Sequence, residues 1–140
     1  MRHRSLRILV VLAAVATAAA SGCAQIEKKS RVIKLDQAVR LYADSIRWGN
    51  FETAAGLVRR RDGKTSAMAV TIPADVRVSA YASNVLSLNE QSDEATVVTS
   101  FNYFFTSTNS VRVISQTDLW WFDPTTEQWF MDGSLPDFRP

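Results

Sequence analysis

The sequence predicts an α+β domain, with N-terminal helices packed on an antiparallel sheet, and three observations carry that prediction. From Ser30 to Trp48, and again after Asn50, apolar residues recur at every third or fourth position, the spacing of a helix with one buried face. After Asp75 the apolar period drops to two, as in half-buried strands. Short polar clusters (Asn89 to Asp93, Thr108-Asn109, Asp123 to Thr126) separate the alternating runs, which is the pattern of strands joined by tight turns. Neither layer can bury its apolar side alone, so the helices must cover one face of the sheet.

Each element follows from local chemistry. The first helix presents Val32, Leu35, Val39, Tyr42 and Ile46 as a stripe with Ala43 beside it, and Lys34, Arg40, Asp44 and Arg47 largely on the other side. Ser30 or Asp36 is placed to cap its start. Gly49 ends it as a left-handed C-cap and Asn50 caps a second helix. That helix runs from Phe51 to about Arg59 and buries Phe51, Ala54, Ala55 and Val58. Arg59, Arg60 and Arg61 suit its C-terminal end through the macrodipole, and Asp62-Gly63 turns the chain. Met68, Val70 and Ile72 alternate as a short strand that Pro73 stops or confines to an edge. In the first long strand Val76, Val78, Ala80, Ala82, Leu86 and Leu88 are assigned to the core, with Asn84 interrupting them. The second assigns Ala95, Val97, Thr99, Phe101, Tyr103 and Phe105, and the third Val111, Val113, Ser115, Thr117, Leu119 and Trp121. A closing strand spans Glu127 to Met131.

Composition narrows the function classes. At 140 residues the chain holds one ordinary domain. Its 46% hydrophobic and 21% charged content excludes a disordered tail or a coiled-coil rod. One Cys excludes an internal disulfide framework and a Cys-based zinc finger. A net charge of +2 argues against nucleic acid as a partner.

The first 22 residues read as a signal peptide. Arg2, Arg4 and Arg7 form a basic start, and Ile8 to Ala20 is an uncharged apolar stretch, too short for a comfortable span of about 20 residues. The run Ala20-Ser21-Gly22-Cys23 resembles the lipobox of bacterial lipoproteins. That resemblance implies cleavage between Gly22 and Cys23, a diacylglyceryl group on the Cys23 sulfur, and acylation, for instance by palmitate, of the new amino terminus. The chain then divides into a signal peptide (1–22), a tether (23–29) and one domain (30–140). Ala24, and not Asp, follows the Cys, so a Gram-negative source implies the outer membrane, facing the periplasm. Cleavage leaves 118 residues with 13 basic against 14 acidic groups, a net charge near −1, and removes His3, the only His. Without His or a free thiol the mature chain supports no Ser-His-Asp or Cys-His mechanism and offers no His or thiolate metal ligand. No metal, cofactor or catalytic residue is expected, and carboxylate-based chemistry is what remains.

From Ser30 to Phe138 the chain resembles the NTF2-like superfamily on three features. The first is the helix end Arg47-Trp48-Gly49-Asn50-Phe51-Glu52 followed by Ala54-Ala55. The second is the run of long strands. The third is the closing pair Trp120-Trp121-Phe122-Asp123 and Gln128-Trp129-Phe130-Met131-Asp132. The resemblance implies the NTF2-like, cystatin-like cone, helices packed in a curved sheet. Enzymes of this superfamily usually carry an Asp-His pair, or several polar groups, inside the cone. Here the inward phase is mostly Val, Phe, Leu and Trp, which matches small bacterial lipoproteins of the superfamily without an assigned activity.

Four groups of residues are candidates for function. Tyr42, Asn84, Tyr103 and Thr117 are polar groups in apolar phases, and converging on a cavity they would line a small-molecule pocket. Asp118 shares a phase with Arg112 on the face opposite Trp121, where an exposed or Arg-paired carboxylate is expected. Arg59, Arg60, Arg61 and Lys64 form a basic cluster suited to lipid phosphates or to a solvated helix end. Tyr81, Val85, Val98, Phe104, Ile114, Trp120, Phe122 and Phe130 fall in the phase away from the expected core and suggest an interface, for a homodimer or an envelope protein partner. The expected function is a lipid-anchored envelope domain without catalysis that binds a protein or a small apolar ligand. The alternatives are a carboxylate-based isomerase, cyclase or hydrolase, and a purely structural envelope lipoprotein.

Overall fold

The structure, a computed structural model, describes residues 2–63 and 71–139, with side chains from Gly22 onward. Its first helix, α1, runs Arg2–Arg47. Leu35, Val39, Tyr42, Ala43 and Ile46 are buried as the spacing predicts, whereas Val32 is exposed. Neither Ser30 nor Asp36 caps a start, because α1 is continuous through both. Residues 23–29, expected as an extended tether, are helical and exposed. The six residues 24–29, which would reach about 20 Å extended, therefore rise only about 9 Å.

Gly49, at φ +74°, takes the left-handed conformation that turns the chain at the end of α1. The Asn50 side chain then accepts a hydrogen bond from the Thr53 N–H at 3.5 Å and opens α2, Phe51–Gly56. This helix is shorter than expected, because strand pairing takes over. The Met131 N–H donates to Leu57 O at 2.8 Å and the Arg59 N–H donates to Met131 O at 3.0 Å. Residues 57–59 thus run parallel to the last strand and cover an edge that would otherwise present unpaired backbone groups. The arginine triplet consequently begins at the last residue of a strand-like segment and not at a helix end. Met68, Val70 and Lys64 lie outside the described residues, and Ile72 is half-buried in no strand.

Four strands follow in an antiparallel meander, order β1-β2-β3-β4: β1 is Val76–Leu88, β2 Glu94–Phe105, β3 Arg112–Asp123 and β4 Gln128–Asp132. The turns use the residues expected of them. Asn89 Oδ1 accepts from the backbone N–H groups of Asp93 and Glu94 at 3.0 and 3.1 Å, and Asp123 Oδ1 accepts from the Thr125 N–H at 2.9 Å. Such Asx contacts satisfy the backbone where the ladder stops.

The β2 phase is as predicted: Ala95, Val97, Thr99, Phe101, Tyr103 and Phe105 are all buried. Register then fixes the other strands, and two assignments are corrected. On β3 the inward residues are Ile114, Gln116, Asp118, Trp120 and Phe122. Trp120 is 1% exposed and Val113, assigned to the core, is 64% exposed. On β1 Val76 and Val78 face inward as expected, but a register shift between Val78 and Ala80 inverts the alternation. Tyr81 and Ser83 then face the core, and Ala80 and Ala82 do not. A second shift lies between Val85 and Ser87.

Three segments cover the inner face: α1, α2 and residues 134–138. Phe138 is buried against Phe101 and Tyr103, at ring-centroid distances of 6.3 and 4.9 Å. The Trp129 Nε1–H donates to Arg31 O at 2.9 Å, tying β4 to α1. Each such large side chain, fully buried, contributes about 1.5–3 kcal/mol, and the main core cluster lies on this face, with Phe130 buried separately on the other. The outer face carries short polar residues, among them the paired Ser100 and Ser115 hydroxyls at 2.7 Å.

Candidate functional site

A row of polar side chains crosses the middle of this apolar face. Ser83, Thr99 and Gln116 are register neighbours on β1, β2 and β3, and the Ser83 and Thr99 hydroxyls are 3.1 Å apart. Asp118 lies two residues along β3 on the same face, opposite Val97. Tyr42 reaches the row from α1. Its ring meets Phe101 and Trp120 edge-on at 6.4 and 5.9 Å, and it is buried because it belongs to the helical stripe.

Hydrogen bonding in the row is incomplete. Among the described residues the Tyr42 hydroxyl and Gln116 Oε1 are buried with no hydrogen-bond partner. Gln116 Nε2 donates to Ser134 O at a long 3.4 Å. Asp118 makes no hydrogen bond or ion pair among the described residues. It is neither exposed nor paired with Arg112, which corrects the expectation for it. Its carboxylate lies beside Gly133, where a Cβ would stand 2.6 Å from Oδ1, so a side chain at that position would displace the carboxylate.

The electrostatics follow from this isolation. Burial raises the Asp118 carboxyl to about 6, because desolvation disfavours the charged form. Burial, and then the Asp118 charge, push the Tyr42 phenol upward. A carboxyl that titrates near neutrality suits proton transfer. Access is the counterweight. The adjoining groove, about 160 Å³, is lined by Val39, Tyr81, Ser83 and Val97 among others, and Asp118 does not line it. Among the described residues no three of His, Cys, Asp and Glu gather as a metal site.

The candidate pocket is not assembled. Tyr42 and Tyr103 lie on the inner side, where the Tyr103 hydroxyl donates to Arg139 O at 3.0 Å. Asn84 and Thr117 are exposed and pair with Val98 across the outer face. The candidate interface also divides. Tyr81, Val85, Ile114, Trp120 and Phe122 face inward by register, and the Tyr81 hydroxyl donates to Asp44 Oδ1 at 2.9 Å. Val98 and Phe104 keep their place on the outer face, half-buried. Phe130 is buried there, under the Arg59 guanidinium at 3.9 Å.

The basic cluster is paired with acids. Arg59 lies 3.5 Å from Asp123, Arg60 is 3.5 Å from Asp62, and Arg61 pairs with Glu94. Cys23 is exposed. Among the described residues no helix is long and apolar enough to cross a membrane. Thr99 is readable as a polar residue in the apolar phase of β2, whereas Ser83 and Gln116 have no signal of their own in the sequence. Register beside a correctly assigned β2 is what places them. Comparison of the chain with protein-family models, with curated proteins and with solved structures finds no match.

Proposed function

We propose that the chain is a lipid-anchored domain of the bacterial cell envelope, built on the NTF2-like plan, that binds a protein partner and performs no catalysis. The lipobox-like run ending at Gly22-Cys23 supports the anchor, and in a Gram-negative cell Ala24 points to the outer membrane, facing the periplasm. One observation carries the binding reading. The protein's own Leu135, Pro136 and Phe138 are buried over the inner face, where a substrate would have to sit. Expression of the full chain with labelled palmitate tests the anchor: wild type takes up label, Cys23→Ser does not and stays unprocessed. Normal labelling of that variant rejects it.

Asp118 favours a second reading, carboxylate-based isomerase, cyclase or hydrolase chemistry. Its raised carboxyl stands with two unpaired buried groups, Tyr42 Oη and Gln116 Oε1. Unpaired buried groups cost about 1–3 kcal/mol each, which a bound molecule would recover. The two readings part at Asp118→Asn. In the first this variant leaves partner capture intact, and in the second it abolishes turnover.

A further inference from the structure

At the far end of α1 from Cys23 lies a groove of about 490 Å³, between the α1–α2 turn and the start of β1. Trp48, Phe51, Ile72 and Val76 give it apolar walls, and Arg47 and Arg77 stand in its lining. Among the described residues no acidic side chain lines it. Trp48 is 77% exposed, unusual for so large an apolar ring, and the Arg47 guanidinium sits 5.2 Å from its centre. Arg77 is held by the carbonyls of Ala74 and Val76, to which its Nη1 donates at 2.9 and 2.7 Å. Among the described residues neither arginine has a carboxylate partner. The paired arginines at 59–61 make the contrast, since there each guanidinium has its acid.

Position selects the kind of occupant. The 24 helical steps from Cys23 to Arg47 rise about 36 Å. Where α1 stands upright on the anchor proposed above, Trp48 lies clear of the membrane that holds it. Exposed Trp and Arg are the side chains that most often dominate protein interfaces, and two unpaired guanidinium groups require anionic partners. We infer that this groove docks an acidic segment of another protein, which inserts an apolar side chain beside Trp48 and sets carboxylates against Arg47 and Arg77. The inference rests on the reading of the domain as a partner-binding module and names the partner's chemistry.

The test uses the full chain in its native membrane, with the photo-crosslinking residue p-benzoylphenylalanine in place of Trp48. The expected product is a peptide of another protein with Asp or Glu within a few residues of the crosslink. Its yield falls at least tenfold in Arg47→Glu/Arg77→Glu and survives in Arg47→Lys/Arg77→Lys. A crosslink to a second copy of the chain, to lipid or to a segment without carboxylates overturns the inference, and so does no crosslink. A second probe at Phe104, on the outer sheet face, separates the two levels. Capture there and not at Trp48 removes the groove and leaves the partner-binding reading. Capture at neither removes both.

Discussion

The two faces of the sheet are made from the same three long strands, yet they differ in chemistry. The inner face holds the rings of Phe101, Tyr103, Trp120 and Trp129 and, among them, a carboxylate, a phenol and an amide oxygen without partners among the described residues. The outer face holds Ser, Thr and Asn beside partly exposed Val98 and Phe104, all able to meet water. The difference shows where polarity carries information. A serine on the outer face costs nothing, whereas Asp118 on the inner face is held against desolvation and calls for a reason.

The largest expected effect tests which face is the core. Trp120→Ala should destabilise the fold by about 3–5 kcal/mol, while Trp121→Ala, half-buried on the other face, should cost about 1–2 kcal/mol. Urea melts of both variants decide it, and a reversed order would exchange the two faces.

Asp118 gives the next effect. Its folded pKa of about 6 lies above its ordinary 3.8, so between about pH 4 and 6 the folded chain keeps a proton that the unfolded chain has lost. Stability is therefore greatest below that window, falls as pH rises through it, and stays lower above pH 6. Partial contact with solvent reduces the change to about 1–2 kcal/mol. Asp118→Asn should flatten this slope in melts from pH 4 to 8, and an unaltered slope would assign it to another group.

Tyr42→Phe removes a buried hydroxyl without a partner among the described residues, so stability should rise, by about 1 kcal/mol, the low end of what an unpaired buried group costs. A loss of 2 kcal/mol or more in the same melts would show that the hydroxyl has a partner, which sharpens the catalytic reading. The smallest effect belongs to the outer face, where Val113→Thr should stay within about 0.5 kcal/mol.

The sequence discloses the elements more fully than their orientation. Period, Gly49, Asn50 and the Asn89 and Asp123 turns locate the helix pair and all four strands, because each rests on chemistry within a few residues. The facing of β3 is not local. Val113, Leu119 and Trp121 compete with Ile114, Trp120 and Phe122, and two apolar phases of similar strength leave the sign of the alternation open. On β1 one inserted residue past Val78 inverts the phase with no mark in the composition. The candidate site inherits this. Tyr42 is readable as a polar group in a helical stripe, but Asp118 and Gln116 become inner residues only once β3 is turned over.

The register shifts on β1 also govern how the molecule behaves in a crowd. A sheet grows into fibres when a straight edge offers its free N–H and C=O groups to another chain. At one edge β4 is already occupied by residues 57–59. At the other, β1 is broken twice, near Ser79 and near Leu86, and a kinked strand is a poor template for a straight one. Among the described residues neither edge of the sheet is both open and straight. The sheet therefore offers a second chain little straight edge on which to add a strand.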